Sequence, residues 1–522
     1  MTVSQYIASW LIKRGVTTVY GLPGEEDLHL LDAIREANIE FIRVDHEATA
    51  GFMAAAEARI TGDIAVVLTT LGPGATNVLT SIAHSQLAGI PILLITADKA
   101  FNVPHSSFQQ IDAVSLFKPV SNFSERLERA DRIPSMLESA YQYALYSTKP
   151  GVSHIQIPYD ISKGTIRIDN IEIGSYSKSI ASDDTISRAK EYIINSKHPL
   201  IVSAGGSQDR KISQVLNKIV TKYKIPHIST AMGKGSIDEM GENYLGTIVS
   251  EFDDPLNKAI NFSDLIITVG YQSHERPFSL NTNGEKKVLS FSTHFLDLDP
   301  LFMPDVQLVG DIPANVAKVF SEIEVEYEEV DFYSSLNRFV QGVDIDQYEI
   351  YLRSMIEGLN SILSPEDTVV LDNGSYKWAF SRYFRCRRTD QIILDNALAT
   401  MGGGIAMGAS ISRLIPKNKV VTIVGDGGFL MSSYDLGTVR RFANDQCIIM
   451  IRNERYEMIA RKQKKEGLEE FGVDLDLPDV GKIVEGYGIP YSWMHIREIE
   501  QLLKEVSREG CRFIQLTYSE SY

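Results

Sequence analysis

The sequence predicts an α/β protein made of three consecutive open parallel-sheet domains, and three observations carry that prediction. The chain has 522 residues, which at roughly 150–200 residues per domain is about three domains. Short runs rich in Val, Ile and Leu alternate with longer helical patterns, the signature of βαβ units whose parallel sheet is covered on both faces. The alternation restarts after two polar stretches and shows no short period, so the repeating object is a whole domain.

The first unit, residues 1–170, opens on a strand that ends in the turn Gly21-Leu22-Pro23-Gly24, followed by a strand at residues 40–44. Residues 48–60, rich in Ala and Met, form a helix, and residues 64–70 form a third strand that closes on Leu71-Gly72-Pro73-Gly74. A fourth strand covers residues 91–96. Ser175, Ser177, Ser179 and Ser182 mark a linker around residues 176–184. The central unit, residues 186–325, carries strands at 200–203, 265–270 and 288–291. The acidic run Glu322, Glu324, Glu326, Glu328, Glu329 and Asp331 reads as a solvated boundary. The third unit, residues 345–522, has strands at 367–372, 420–424 and 447–451.

Composition removes several classes of function. Hydrophobic residues are 44% and charged residues 23%, close to the globular average, which excludes disordered and fibrous classes. Fifty-one basic against 68 acidic residues leave a net charge of −17, the wrong sign for a nucleic-acid partner. Cys386, Cys447 and Cys511 form no CxxC or paired framework and read as reduced cytosolic thiols. The opening residues have no basic region leading into an apolar core, and no apolar run reaches the ~18 residues of a membrane span. The expectation is a soluble, cytoplasmic, multidomain protein without a membrane partner.

The chemistry concentrates where residues 420–424, an apolar strand, run directly into Gly425-Asp426-Gly427-Gly428. Ligands of open α/β sheets bind beyond the carboxyl ends of strands. Glycines there let the backbone approach a phosphate, and a helix expected to begin near Met431 adds its amide groups. Asp426 suits Mg²⁺, and Asn453, just beyond the strand at 447–451, stands where a second oxygen ligand should follow. In this order the sequence resembles the thiamine-diphosphate-dependent enzymes, whose motif is a Gly-Asp-Gly followed downstream by paired asparagines. The second of that pair matches Asn453; the first position is Arg452. The resemblance implies that Asp426, the Asn453 side chain and the Arg455 carbonyl hold Mg²⁺ on the diphosphate, with Gly425, Gly427, Gly428 and Met458 around the cofactor.

It also implies a carboxylate on the first unit that protonates the cofactor's aminopyrimidine, so that the thiazolium carbon becomes the nucleophile that attacks a 2-oxo acid. Glu47 matches it. Taken alone Glu47 reads as an acid at a helix start, but the family-like string Gly72-Pro73-Gly74-Ala75-Thr76-Asn77 follows it. Gly24, Thr70 and Asn77 join it on the pyrimidine side. Met401 matches the apolar residue that wedges the cofactor, its other reading being core packing, and the Ala399 carbonyl matches the acceptor for the exocyclic amine.

Within the family the chain is most similar to the acetolactate-synthase-like group, so the implied fold is a pyrimidine-binding, a central and a diphosphate-binding domain. The implied activity is a carboligase that decarboxylates a 2-oxo acid, with pyruvate as donor, and transfers the fragment to a carbonyl acceptor. Phe108 and Gln109 would face the reacting carbon from the partner subunit of a homodimer or tetramer; Phe108 reads equally as core. The central unit lacks the Phe-Asp-Asp-Arg of the flavin-binding members, so no FAD is expected. Arg461 and Lys462 either select an anionic acceptor or form a solvated helix face, and His84 and His105 either serve the substrate or are structural. A simple decarboxylase, a 2-hydroxy-ketone lyase and a non-catalytic paralogue are the alternatives; intact Glu47, Asp426 and Asn453 argue against the last.

Overall fold

The computed structural model of the chain describes residues 1–104, 107–147, 149–167, 172–249, 254–275, 286–298, 302–325, 327 and 347–518. His105 and the acidic positions Glu326, Glu328, Glu329 and Asp331 lie outside the described residues. Three six-stranded sheets follow one another along the chain, each paired in parallel. The first consists of β1 (Thr18–Leu22), β2 (Glu40–Arg43), β3 (Ala65–Thr69), β4 (Ile92–Asp98), β5 (Phe123–Arg126) and β6 (Val152–Pro158). The second consists of β7 (Pro199–Ser203), β8 (His227–Thr230), β9 (Tyr244–Ile248), β10 (Leu265–Val269), β11 (Lys287–Ser292) and β12 (Val306–Val309). The third consists of β13 (Thr368–Leu371), β14 (Ile392–Ile393), β15 (Val420–Gly425), β16 (Gln446–Arg452), β17 (Tyr491–His495) and β18 (Arg512–Thr517). The α/β class and the three-sheet arrangement expected from the sequence are therefore present.

The first and third sheets are wound identically, β2-β1-β3-β4-β6-β5 and β14-β13-β15-β16-β18-β17. The second runs β12-β11-β10-β7-β8-β9, with its direction of winding reversing between β10 and β7. Central strands such as β4 and β15 are buried along almost their whole length, which is why they read as unbroken apolar runs.

The first and third units also pack directly on each other. The helix Glu47–Thr61 follows β2, and the helix Gly404–Leu414 follows β14, so the two occupy matching positions in their sheets. Ala50, Ala54, Ala55 and Ala58 on one and Ala406 on the other keep both surfaces low, and one apolar cluster runs through the seam from Ile42 to Ile411. Ser410 Oγ donates to the Met53 carbonyl at 2.8 Å, and Thr49 Oγ1 donates to Asp435 Oδ1 at 2.5 Å. A helix that is buried nearly all round must be apolar nearly all round, and Glu47–Thr61 is. Among the described residues no helix is long and apolar enough to cross a membrane, and Cys386, Cys447 and Cys511 are unbridged.

Candidate active site

The third sheet builds the larger half of the site. β15 ends in Gly425, and Asp426 is already the first residue of the helix Asp426–Ser432. The sequence reading put this helix start near Met431; the turn is tighter because Gly427 and Gly428 are themselves helical. A Cβ on Gly428 would stand 2.1 Å from Asp372 Oδ2, so only glycine fits there. Asp426 is clasped by the loop that leaves β16: its Oδ2 accepts from the main-chain N–H of Asn453 at 2.8 Å and of Glu454 at 2.5 Å, and its Oδ1 accepts from Gly427 N–H at 2.9 Å. Burial pushes the Asp426 pKa up, and those three N–H groups pull it back.

The oxygen end of the Asn453 amide stands 3.0 Å from the Arg455 carbonyl oxygen and 3.3 Å from each carboxylate oxygen of Asp426. With the amide oxygen facing inward four oxygens converge; with the amide nitrogen facing inward Asn453 donates to the other three. Rotating the amide would turn these contacts into hydrogen bonds, and a cation at their centre satisfies all four without rotation. Glu454, between Asn453 and Arg455, has φ +58°, an unfavourable backbone conformation for a residue with a side chain. Arg452, which stands where the family has an asparagine, takes no part in the cluster; its Nε and Nη2 donate to Glu454 Oε1 at 3.0 and 2.5 Å. Among the described residues no group of three or more His, Cys, Asp or Glu side chains could hold a metal, so a cation here would draw on the Asp426 carboxylate together with amide and carbonyl oxygens.

These oxygens open onto a cavity of about 240 Å³ lined by Met401, Gly425, Asp426, Gly427, Gly428, Asn453, Arg455 and Met458. All eight were singled out from the sequence. Asn373, Gly374, Ser375, Tyr376 and Tyr456 line it too and were missed. The first four follow the carboxyl end of β13, a strand the sequence revealed, so the strand-end rule had already marked the place. Asp372 was missed as well: buried, it accepts from Gly402 N–H at 3.0 and 2.9 Å and from Gly404 N–H at 3.3 Å, fixing the loop that carries Met401. Ala399 has φ +54°, its N–H donates to Asp395 Oδ2 at 2.8 Å, and it faces a different cavity, between the second and third sheets.

The first sheet builds the smaller half. Glu47 is the first residue of its helix and is 6% exposed. Its Oε2 accepts from Asn77 Nδ2 at 3.0 Å, across from the short helix Pro73–Asn77 that follows β3. Gly24 and Gly74 both lie against the Thr70 side chain, so Gly24, Thr70, Glu47 and Asn77 form one cluster at the carboxyl edge of β1 and β3. Gln109, with φ +62°, packs its main chain on Gly72, and the neighbouring Phe108 ring is 77% exposed, which excludes the core-packing reading.

The two clusters do not share a cavity: among the described residues, nothing from residues 1–170 lines the one at Asp426. His84 is buried with Nδ1 3.1 Å from Asp395 Oδ2, linking the first unit to the loop of Ala399. Arg461 Nε donates to Glu457 Oε1 at 2.7 Å, and Lys462, Lys464 and Lys465 are exposed, so this helix presents a solvated face.

Comparison with known proteins agrees with this construction. Residues 1–116 match the family model described as thiamine pyrophosphate enzyme, N-terminal TPP binding domain. Residues 186–319 match its central domain and residues 372–516 its C-terminal TPP binding domain. Three wound sheets in this order, with a glycine-and-carboxylate cradle on the last, define an enzyme that works through thiamine pyrophosphate, the cofactor also called thiamine diphosphate. The chain belongs to the thiamine pyrophosphate enzymes. It is similar to the acetolactate synthase of Bacillus subtilis (strain 168), at 28% identity over 97% of this chain and 90% of that protein. The catabolic acetolactate synthase of Raoultella terrigena is 27% identical over 92% of this chain and 88% of its own length. The acetolactate synthase isozyme 3 large subunit of Escherichia coli (strain K12) is 25% identical over 96% and 91%.

Proposed function

We propose that the protein is a thiamine-diphosphate- and Mg²⁺-dependent carboligase that decarboxylates a 2-oxo acid, with pyruvate as donor, and joins the remaining fragment to a carbonyl acceptor. The observation that carries this reading is the convergence of Asp426, Asn453 and the Arg455 carbonyl beside the cavity of Met401. Cis ligands of an octahedral Mg²⁺ at about 2.0–2.1 Å are roughly 2.9–3.0 Å apart, the spacing of 3.0 Å between the Asn453 amide and the Arg455 carbonyl oxygen. Bound there, the cofactor supplies a carbon nucleophile and an electron sink for decarboxylation. Asp426, Asn453 and Arg455 hold the metal, Gly425, Gly427 and Gly428 let the diphosphate approach, and Met401 and Met458 flank the cofactor. The Ala399 carbonyl, on the loop that carries Met401, would accept from the aminopyrimidine. Glu47 gives and takes the proton at the pyrimidine ring, oriented by Asn77.

The absence of first-unit residues from the Asp426 cavity supports assembly of each site from two copies, Glu47, Gly24 and Thr70 coming from one and the Asp426 cradle from the other. Phe108 and Gln109 would then reach the partner's cavity, which accounts for an exposed Phe108 ring. A dimer is the minimum assembly, and the three units at 1–170, 186–325 and 345–522 are its domains. The relatives' names support acetolactate as product. The reaction is redox-neutral, so flavin has no chemical part in it. The test is pyruvate consumption with added thiamine diphosphate and Mg²⁺, resolving acetolactate, acetaldehyde and CO₂. Acetolactate as main product is the expected result; acetaldehyde alone would replace the reading with a simple decarboxylase.

A further inference from the structure

The chain carries a net charge of −17, yet one cavity gathers arginines. It measures about 240 Å³ and lies between β9, the outer strand of the second sheet, and the helices Gln347–Ile362 and Tyr376–Tyr383 of the third unit. Arg353, Arg382 and Arg385 line it, together with Thr247, Glu357 and Asn360. None of these residues belongs to the Asp426 cavity. The helix Tyr376–Tyr383 joins the two places, since Tyr376 lines the Asp426 cavity and Tyr383 lines this one.

The three guanidinium groups are not equally matched. Arg382 Nη2 donates to Asp254 Oδ2 at 3.1 Å, and with 1% of the Asp254 side chain exposed this is a buried pair that ties the second unit to the third. Arg353 Nε donates to Glu357 Oε1 at 2.8 Å, one helical turn away, but the Glu357 side chain is 57% exposed and water screens its charge. Arg385 pairs with no carboxylate among the described residues. Its guanidinium carbon stands 4.9 Å from the centre of the Tyr244 ring, and its main-chain N–H donates to Asn360 Oδ1 at 3.4 Å. The Tyr383 hydroxyl already donates to Glu349 Oε1 at 3.0 Å. Beyond the buried pair, then, the cavity holds the charges of Arg353 and Arg385, and among the lining residues only the exposed Glu357 opposes them.

We propose that this cavity binds a phosphate group, that of a small phosphate ester or of free phosphate, at a site separate from the Asp426 cradle. A phosphate near neutral pH carries a charge of about −1.5 to −2, which the Arg353 and Arg385 guanidiniums match. Its terminal oxygens take the paired N–H groups of a guanidinium two at a time, a fit that an ammonium lacks. Asn360 adds a neutral donor: one hydrogen of its Nδ2 goes to the Tyr383 carbonyl at 3.3 Å, and the amide has a second. A monocarboxylate brings one charge and two oxygens, so it fills the cluster less completely. A volume of about 240 Å³ admits a phosphate with a short carbon chain and lies below the range of about 300–1,000 Å³ that drug-sized ligands occupy.

The test is calorimetry on the full chain saturated with thiamine diphosphate and Mg²⁺, which keeps the probes out of the Asp426 cavity, with glycerol 3-phosphate, inorganic phosphate and acetate. Both phosphates are expected to bind more tightly than acetate. Glycerol 3-phosphate ahead of inorganic phosphate identifies an ester as the ligand, and inorganic phosphate at parity or ahead identifies the free ion. Arg385→Met is expected to weaken phosphate binding roughly ten- to hundredfold. Arg385→Lys, which keeps the charge and loses the fork, falls in between and carries the comparison if Arg385→Met does not fold. Arg387→Met removes the same charge from an exposed neighbour outside the cavity and is expected to bind phosphate as the wild type does. Phosphate is also expected to raise the melting temperature of the wild type and not of Arg385→Met. No phosphate binding by the wild type, equal binding in the wild type and Arg385→Met, equal losses in Arg385→Met and Arg387→Met, or acetate binding as tightly as phosphate overturns the proposal. The measurement reads binding without turnover, so it stands apart from the carboligase reading. A chain that takes up no cofactor refutes that reading and, titrated alone, still separates the wild type from Arg385→Met.

Discussion

The first and third sheets share one strand order and differ in what stands at the ends of their strands. In the first, β3 runs into Thr70-Leu71-Gly72-Pro73-Gly74, and the helix after β2 begins with Glu47. In the third, β15 runs into Gly425-Asp426-Gly427-Gly428, and the loop after β14 carries Ala399 and Met401. One winding thus places two crevices alike, and a few residues give one a buried carboxylate, Glu47, and the other the oxygens of Asp426 and the Arg455 carbonyl. Fold fixes where a site can be; residue chemistry fixes which half of the reaction it serves.

If that division holds, the two halves fail differently. Glu47→Gln is expected to lower kcat by two to four orders of magnitude, the range of a lost general acid–base group, while the affinity for thiamine diphosphate stays within a few-fold by calorimetry. A loss of affinity in that variant would break the comparison. Asn453→Ala should do the reverse, raising the Mg²⁺ concentration for half-maximal activity by about tenfold to a hundredfold, as read from a metal titration of the stripped enzyme. Gly428→Ala tests the cradle's packing without touching a ligand: its methyl would meet Asp372 Oδ2 at 2.1 Å, and denaturant unfolding should register a loss of about 1–3 kcal/mol.

The smallest effect probes the seam that joins the halves. Burial raises the pKa of Asp435, the acceptor from Thr49, to about 7. A carboxyl whose folded pKa is raised binds its proton better in the native state. The stability this contributes is complete below the unfolded value near 3.9 and is lost as pH rises through about 7. Asp435→Asn should therefore remove about 1.4 kcal/mol of the wild type's fall in stability between pH 6 and 8, measured by denaturation at both values. An identical pH slope in the two proteins would mean that Asp435 is already ionised in the seam.

The sequence was most informative where chemistry is local in the chain. Strand, glycines, Asp426, strand and Asn453 follow in order, and the fold only has to close them up. It was least informative where the partner is remote. Asp372 lies well before Gly402 in the chain, and nothing in its neighbours announces that it will clasp that loop. Lys377 reads as an ordinary helix residue, and in space it donates to Asn373 and to the Asp395 carbonyl. Arg452 looked like damage to a motif, and in space it is half of an ion pair with Glu454. The helix start misplaced at Met431 has the same origin: Gly-rich stretches read as loops, and here two glycines are in the helix because Tyr456 at Gly427 and Asp372 at Gly428 leave no room for a side chain.

The seam between the helices Glu47–Thr61 and Gly404–Leu414 has a consequence for how the chain is made. Met53 receives its hydrogen bond from Ser410, 357 residues later. At roughly 5–20 residues per second of synthesis, the alanine-rich face of the first unit emerges from the ribosome tens of seconds before the surface that covers it. The nascent chain must carry an exposed apolar helix through the whole translation of its second unit, which makes the first unit the natural client of a holding chaperone and the sensitive point of heterologous expression.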